Sequence, residues 1–263
     1  DMDKDGPLCA EQMLYAACFR AMAEISEQLG KDGSMYSQEY EKLTAAIEKF
    51  YWDEEKGAYI DSFTSGKRNV TRHANIFAVL FSIADKEKQE KILTNVLENE
   101  KIPAITTPYF NFFELDVLCR MGKLTEVLDK IRSYWGGMLD LGAVTFWEEY
   151  DPSVPKEEQY DMYGDHFGKS LCHAWAASPI YFLAKYFAGL DLVNKDGVTY
   201  ILKPQMQYFT ELDCTLPVGS NGAVRLVWDG EILEITPNAD GGILELGEQK
   251  LSLVRGETRR VKI

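Results

Sequence analysis

The stretch AWAASPIYFLAKYFAGLDLVNKDGVTYIL, residues 174–202, contains the turning point of the chain. Up to Gly189 apolar residues recur at the spacing of a helix with one buried face; beyond it they alternate with polar ones, and Gly and Asn-Gly turns multiply. The run from Ala174 to Leu190 is interrupted by Pro179 and Lys185, so it falls short of the roughly 18 unbroken apolar residues of a membrane-crossing helix. The pattern divides the chain into a mainly helical domain, residues 1–190, and a small β domain, residues 191–263.

Upstream of this point the spacing predicts seven helical segments: Leu8 to Leu29, Met35 to Phe50, Val70 to Ile83, Lys86 to Asn99, Thr107 to Met121, Leu124 to Gly136 and Gly168 to Phe187. Gly30, Gly122, the pair Gly136-Gly137 and Gly189 stand where the periodicity stops, as helix-terminating glycines do. Short connections between successive helices imply antiparallel neighbours. Two longer aromatic and charged stretches, Glu54 to Asn69 and Met138 to Phe167, are predicted as loops, where functional groups concentrate. Downstream, LDCTLPV, AVRLVWDG, EILEITPN, GGILELG and QKLSLVRG read as short strands of an antiparallel β-sandwich.

Composition narrows the function classes. The chain has 263 residues, 42 acidic against 28 basic side chains, and a net charge of -14. Such a field repels nucleic-acid backbones and anionic lipid surfaces, so neither is an expected partner; a neutral or cationic one fits better. The five cysteines, Cys9, Cys18, Cys119, Cys172 and Cys214, are odd in number and widely spaced, and are expected as free buried thiols. No metal site is expected: the three histidines form no zinc-ligand pattern, and Asp161 and Asp165 offer at most a calcium pair without a defined loop spacing. No phosphate cradle and no cofactor signature occurs. The first residues, Asp-Met-Asp-Lys-Asp-Gly-Pro, lack an initiator Met at position 1 and the order of a secretory signal, so residue 1 reads as a cut end of a larger protein.

The densest non-periodic segment is GAVTFWEEYDP, residues 142–152, followed by YGDHFGKSLCHAWAASPIYFL, residues 163–183. A Trp beside carboxylates suits sugar chemistry, because the C–H face of a pyranose packs on an aromatic ring while a carboxylate handles a proton or a water. Taken alone, Trp147 fits a core anchor as well as a sugar platform, and Glu148 and Glu149 fit solvated loop charges. His73 and Asn75, on an otherwise apolar helix, read as a buried, satisfied polar pair. Tyr109, Phe110, Asn111 and Phe112 follow a Thr-Thr-Pro helix start and are candidates for contact with substrate. Trp135 and Asp140 flank the Gly-Gly turn and either line or brace a pocket.

The run Gly142-x-x-Thr145-x-Trp147-Glu148, followed by Ser170-Leu171-x-His173-x-Trp175, resembles the C-terminal half of the catalytic domain of bacterial α-L-rhamnosidases, glycoside hydrolase family 78. KFYWDEEKGAYIDS (49–62), TRHANIFAVLFSIA (71–84) and ITTPYFNFFELDVLCRMG (105–122) look like successive hairpins of its (α/α)6 barrel, and the tail is similar to its C-terminal sandwich. The resemblance spans essentially the whole chain. It implies inverting hydrolysis of terminal α-L-rhamnosides, with a rhamnose-containing glycoside or oligosaccharide as substrate and a periplasmic or extracellular parent protein. It makes Glu148 the general base, which takes a proton from water on the face opposite the leaving group. Glu149, next along an extended segment, points the other way. Trp147 is implied beside the sugar and His173 within hydrogen-bond reach of a ring hydroxyl, with Tyr109, Asn111 and Trp135 as further substrate-binding candidates.

An inverting glycosidase needs a second carboxyl group, the general acid, about 6.5–9.5 Å from the base. The family's Asp/Arg/Trp/Glu-rich acid stretch has no counterpart here, and seven helices are too few for a twelve-helix barrel. The chain is thus expected to be a fragment with the base but without the acid, whose uncovered apolar faces associate with another copy or with the missing N-terminal part of the barrel. Two other readings share these residues. Another (α/α)6 carbohydrate-active enzyme would prefer a different sugar on an aryl glycoside panel. A non-catalytic glycan-binding module would keep its binding after Glu148→Gln.

Overall fold

The computed structural model describes residues 2–193, 199–220 and 222–263. Residue 1 of the expected cut end and residues 194–198 of the expected domain boundary lie outside the described residues. The chain forms two compact units, Asp1–Met121 and Gly122–Ile263. The change from helix to strand read near residue 190 falls within the second.

In the first unit, α1 (Cys9–Gln28) and α2 (Ser34–Tyr51) form a hairpin closed by the Lys31 N–H to Ser26 carbonyl bond. The WDEEKGAY stretch is a short antiparallel β-hairpin, β1 (Trp52–Asp53) with β2 (Ala58–Tyr59), partly inside the stretch that the sequence marks as loop. Next come α3 (Arg72–Leu80), α4 (Lys86–Ile92), which continues as a wider turn over Leu93–Leu97, and α5 (Pro108–Arg120). Pro108 sits at the start of α5, where its missing N–H costs no intrahelical bond. Met13, Ile47, Tyr59, Ile76, Ile92 and Leu115 are fully buried. Asn75 is buried and satisfied: its amide exchanges hydrogen bonds with the Tyr59 backbone, 2.9 Å each way, and donates to the Thr71 carbonyl. His73 is only half-buried, tilted against Phe110 at 4.4 Å, and burial pushes its imidazole below the ordinary histidine range.

The second unit begins with α6 (Leu124–Lys130), a wider turn over Ile131–Trp135 and α7 (Gly136–Asp140). The helix predicted from Gly168 starts later than its apolar spacing suggests: α8 spans Ser178–Phe182 and runs on as a wider turn over Leu183–Phe187. Residues 170–173 are instead drawn into a backbone pairing with 146–148, through Glu148 N–H to Ser170 carbonyl (2.9 Å) and His173 N–H to Phe146 carbonyl (2.8 Å). Pro179 then fits the first turn of α8, where a proline is tolerated.

The β part contains β3 (Leu190–Leu192), β4 (Tyr200–Leu202), β5 (Leu212–Val218), β6 (Gly222–Trp228), β7 (Ile232–Pro237), β8 (Gly242–Leu246), β9 (Gln249–Leu253) and β10 (Arg259–Lys262). They make two four-stranded sheets, ordered β10-β7-β6-β5 and β3-β4-β8-β9, antiparallel except for the β4–β8 pair. Alternate residues Val224, Leu226 and Trp228 of β6 join Leu233, Ile235, Tyr200, Leu202 and Leu244 in one core shared by both sheets. The strands β3, β4 and β10 are not among those the sequence pattern predicts. The edge strand β10 reads Arg-Arg-Val-Lys, whose charges hide its period-2 pattern and protect the edge from further pairing.

The cysteines need a correction. Cys9 and Cys119 are buried and Cys214 half-buried, but Cys18 lies on the outer stripe of α1 and Cys172 in the extended segment, both exposed. Among the described residues no helix is long and apolar enough to cross a membrane.

Candidate active site

The pairing of residues 146–148 with 170–173 places Glu148 and His173 on neighbouring strands of backbone. The Thr145 hydroxyl donates to the Leu171 carbonyl and extends the same seam. Glu148 is gripped at both carboxylate oxygens: Oε2 accepts from the Ser170 backbone N–H at 3.1 Å, and Oε1 accepts from the Tyr163 hydroxyl at 3.0 Å. His173 Nδ1 stands 3.9 Å from Oε2, too far for a hydrogen bond but close enough to share a bound hydroxyl or water. The exposed ring at this place is Trp175, 52% accessible and tilted against the His173 imidazole at 4.3 Å.

Trp147, expected beside the sugar, is 3% exposed and tilted against Tyr160 at 5.6 Å, as alternation in an extended segment demands when Glu148 points to the opposite side. Trp135 is also buried: its indole N–H donates to the Ala176 carbonyl at 2.8 Å, which ties the turn after α6 to the approach to α8. It both braces and lines, for with Met138, Leu139, Val144 and Phe146 it borders an apolar cleft of about 220 Å³. Gly137 permits the adjacent contact; a side chain there would meet the Tyr150 hydroxyl at 2.4 Å. Lys169, next to Ser170, is buried. Burial pushes its ammonium below the ordinary lysine range, against the opposite pull of Glu149, Asp151, Asp161 and Glu148.

Tyr109 and Asn111 belong to the first unit, on α5. Tyr109 is exposed and packs edge-on against Phe113 at 5.6 Å. Asn111 is wholly buried, and its amide donates to the Ile105 and Thr107 carbonyls, so in this structure it secures the start of α5 and offers no surface to a ligand. Among the described residues no group of three His, Cys, Asp or Glu side chains is arranged to hold a metal ion. Asp161 instead pairs with His166, and Asp165 accepts from the Phe167 N–H at 3.2 Å.

A carboxylate that two donors orient, with an imidazole beside it and an exposed indole next in line, is equipped to take a proton from a water held near a sugar. Residues 2–187 match the family described as bacterial alpha-L-rhamnosidase 6 hairpin glycosidase domain. The chain belongs to this family. Among solved structures, this rhamnosidase-family chain is similar to the GH78 rhamnosidase of Bacillus sp. GL1, with 23% identity and a TM-score of 0.77, over 92% of this chain and 26% of that one. It is also similar to the Klebsiella oxytoca rhamnosidase with rhamnose bound (28% identity, TM-score 0.59, 68% and 34% of the two chains). A third is the Streptomyces avermitilis α-L-rhamnosidase complexed with L-rhamnose (17% identity, TM-score 0.64, 89% and 22%). The chain thus spans about a quarter to a third of the length of these structures. No curated protein matches it in sequence.

Tyr163, Trp175 and the Ser170 N–H are the parts of the site that sequence reasoning did not single out. Trp175 stood in the quoted run, two residues after His173, in a single 3-10 turn, Ala174–Ala176, that follows the extended residues 170–173. Tyr163 had a trace as well, a Tyr-Gly pair in an acidic loop, which marks a tight turn.

Proposed function

We propose that this chain supplies the general-base side of the active site of an inverting α-L-rhamnosidase. The observation that carries the reading is Glu148, a solvent-reached carboxylate fixed by Tyr163 and Ser170 beside His173 and Trp175, within the Thr-x-Trp-Glu and Ser-Leu-x-His runs. Glu148 removes a proton from a water on the face of the sugar opposite the leaving group, and the oxygen of that water bonds to the anomeric carbon as the glycosidic bond breaks. His173 and Trp175 hold the ring, the first through a hydroxyl and the second through its C–H face. Trp147 and Trp135, both buried, support this surface from within.

The general acid lies in sequence outside these residues, in keeping with the share of the relatives' length that the chain spans. The stripe Leu14, Cys18, Met22, Ile25 and Leu29, exposed along α1, is where the remaining helices of the barrel pack. The test is hydrolysis of an aryl α-L-rhamnoside by the enzyme that contains this chain, with the first-formed sugar followed by proton NMR. The β-anomer of L-rhamnose as first product supports the reading; the α-anomer, or turnover confined to another glycoside, contradicts it. The 263-residue chain alone is expected to bind L-rhamnose in calorimetry without turning over the glycoside.

A further inference from the structure

Tyr163 occupies an unusual piece of backbone. Met162 and Asp165 exchange both of their backbone hydrogen bonds, each 3.0 Å, so Tyr163 and Gly164 are the two central residues of a tight hairpin turn. Both have positive φ, 56° and 81°, which is the type I′ pattern. That turn favours Asn-Gly; a bulky aromatic residue in the left-handed region is an outlier that persists only where surrounding contacts enforce it. Here they do. Gly168 packs so closely on the turn that an added Cβ would lie 2.2 Å from the Met162 carbonyl oxygen. The Gly168 N–H bonds the Asp165 carbonyl at 3.2 Å, and the Lys169 N–H bonds the Tyr160 carbonyl at 3.2 Å, anchoring the loop on the strand that continues to Ser170. Packing does not reward the strain, because Tyr163 is 82% exposed. Among the described residues its directed side-chain contact is the 3.0 Å hydrogen bond to Glu148 Oε1.

We propose that Tyr163 is a positioning residue, which the strained turn holds in place so that its hydroxyl fixes the Glu148 carboxylate from the side opposite the Ser170 N–H. The inference deepens the reading of Glu148 as the base and rests on it. With each oxygen engaged by one donor, the carboxylate plane cannot swing, and the lone pairs left on it point in a fixed direction at the water to be deprotonated. The groups facing the phenol are Glu148, through the hydrogen bond, and Glu149 at longer range; both push its ionisation above the ordinary tyrosine range.

Two measurements test this separately. On the 263-residue chain, NMR of tyrosine labelled at the phenolic carbon, with Tyr163 assigned by its loss in Tyr163→Phe, follows the ionisation of this one ring. The expected result is titration above the ordinary range in the wild type and a return toward it in Glu148→Gln; identical titration in both overturns the contact. In the enzyme that contains the chain, Tyr163→Phe is expected to lower kcat on an aryl α-L-rhamnoside about tenfold with KM nearly unchanged, the size of a lost hydrogen bond to a charged group. Tyr163→Asn restores the residue the turn favours, so the melting temperature holds or rises while kcat falls as in the Phe variant. Unchanged kcat in both variants overturns the positioning role. If no rhamnoside is turned over while the phenol still follows Glu148, the assigned reaction fails and the contact stands.

Discussion

Glu114 in the first unit and Glu148 in the second are nearly equally sheltered, with side chains 10% and 12% exposed, yet their partners give them opposite capacities. Glu114 meets the buried Arg72 guanidinium at 2.7 Å, and Arg72 spends its other donors on the Leu97, Ile102 and Pro103 carbonyls. A guanidinium never releases its proton, so this pair is a permanent tie between α3 and α5. Among the described residues no Lys or Arg meets Glu148 at contact distance; a phenol and a backbone amide orient it, and the imidazole stands 3.9 Å away. Neutral donors direct a carboxylate without neutralising it. Burial alone therefore does not tell the two carboxylates apart, whereas the nature of the partner does.

Exchanging the roles of the two residues sharpens this contrast. In the enzyme that contains the chain, Glu148→Gln is expected to lower rhamnoside turnover by about 10²–10⁴-fold while leaving the urea midpoint in place, since the amide keeps the shape and one acceptor. Glu114→Ala should do the reverse in the first unit, costing about 3–5 kcal/mol in denaturant unfolding because it strands a buried guanidinium. An Arg72→Met/Glu114→Leu double variant that recovers most of that loss would show that the pair serves packing alone; a double variant no better than the single would break the argument. A smaller effect is expected at Trp175, where replacement by Ala raises KM for the rhamnoside about fivefold through loss of the stacking face, with kcat little changed. The smallest concerns the thiols. Cys18 and Cys172 should react with a thiol reagent in the folded protein, whereas Cys9, buried and with its thiol pushed well above the ordinary range by desolvation, should react only on unfolding.

Much of this contrast is legible in the residues themselves. Helical spacing and the glycines Gly30, Gly122 and Gly189 locate helices, whereas Gly136-Gly137, read as a stop, open α7; period-2 alternation locates β5 to β9, because both patterns record which face is buried. The start of the last helix escapes, since residues 168–177 carry helix-like apolar content while the backbone of 170–173 pairs with 146–148, a long-range choice that spacing does not encode. Glu148 and His173 are singled out through their motif, and the structure sets them 3.9 Å apart. Trp147 is placed correctly in the chain but on the wrong side of it, because a Trp reads the same whether it anchors a core or carries a sugar; only the alternation from Glu148 decides. Tyr163 escapes because its significance lies in a positive φ, which local sequence disfavours rather than predicts.

The central claim is that Glu148 is the base on the face of the sugar opposite the leaving group, and azide rescue tests it most directly. In Glu148→Gly, the space left by the carboxylate admits azide, which attacks the anomeric carbon of an activated aryl α-L-rhamnoside as the phenolate departs. The account predicts almost no turnover without azide, restored release of the phenol with it, and β-L-rhamnosyl azide as the product. Turnover that survives the substitution without azide, or an azide adduct of α configuration, would contradict it.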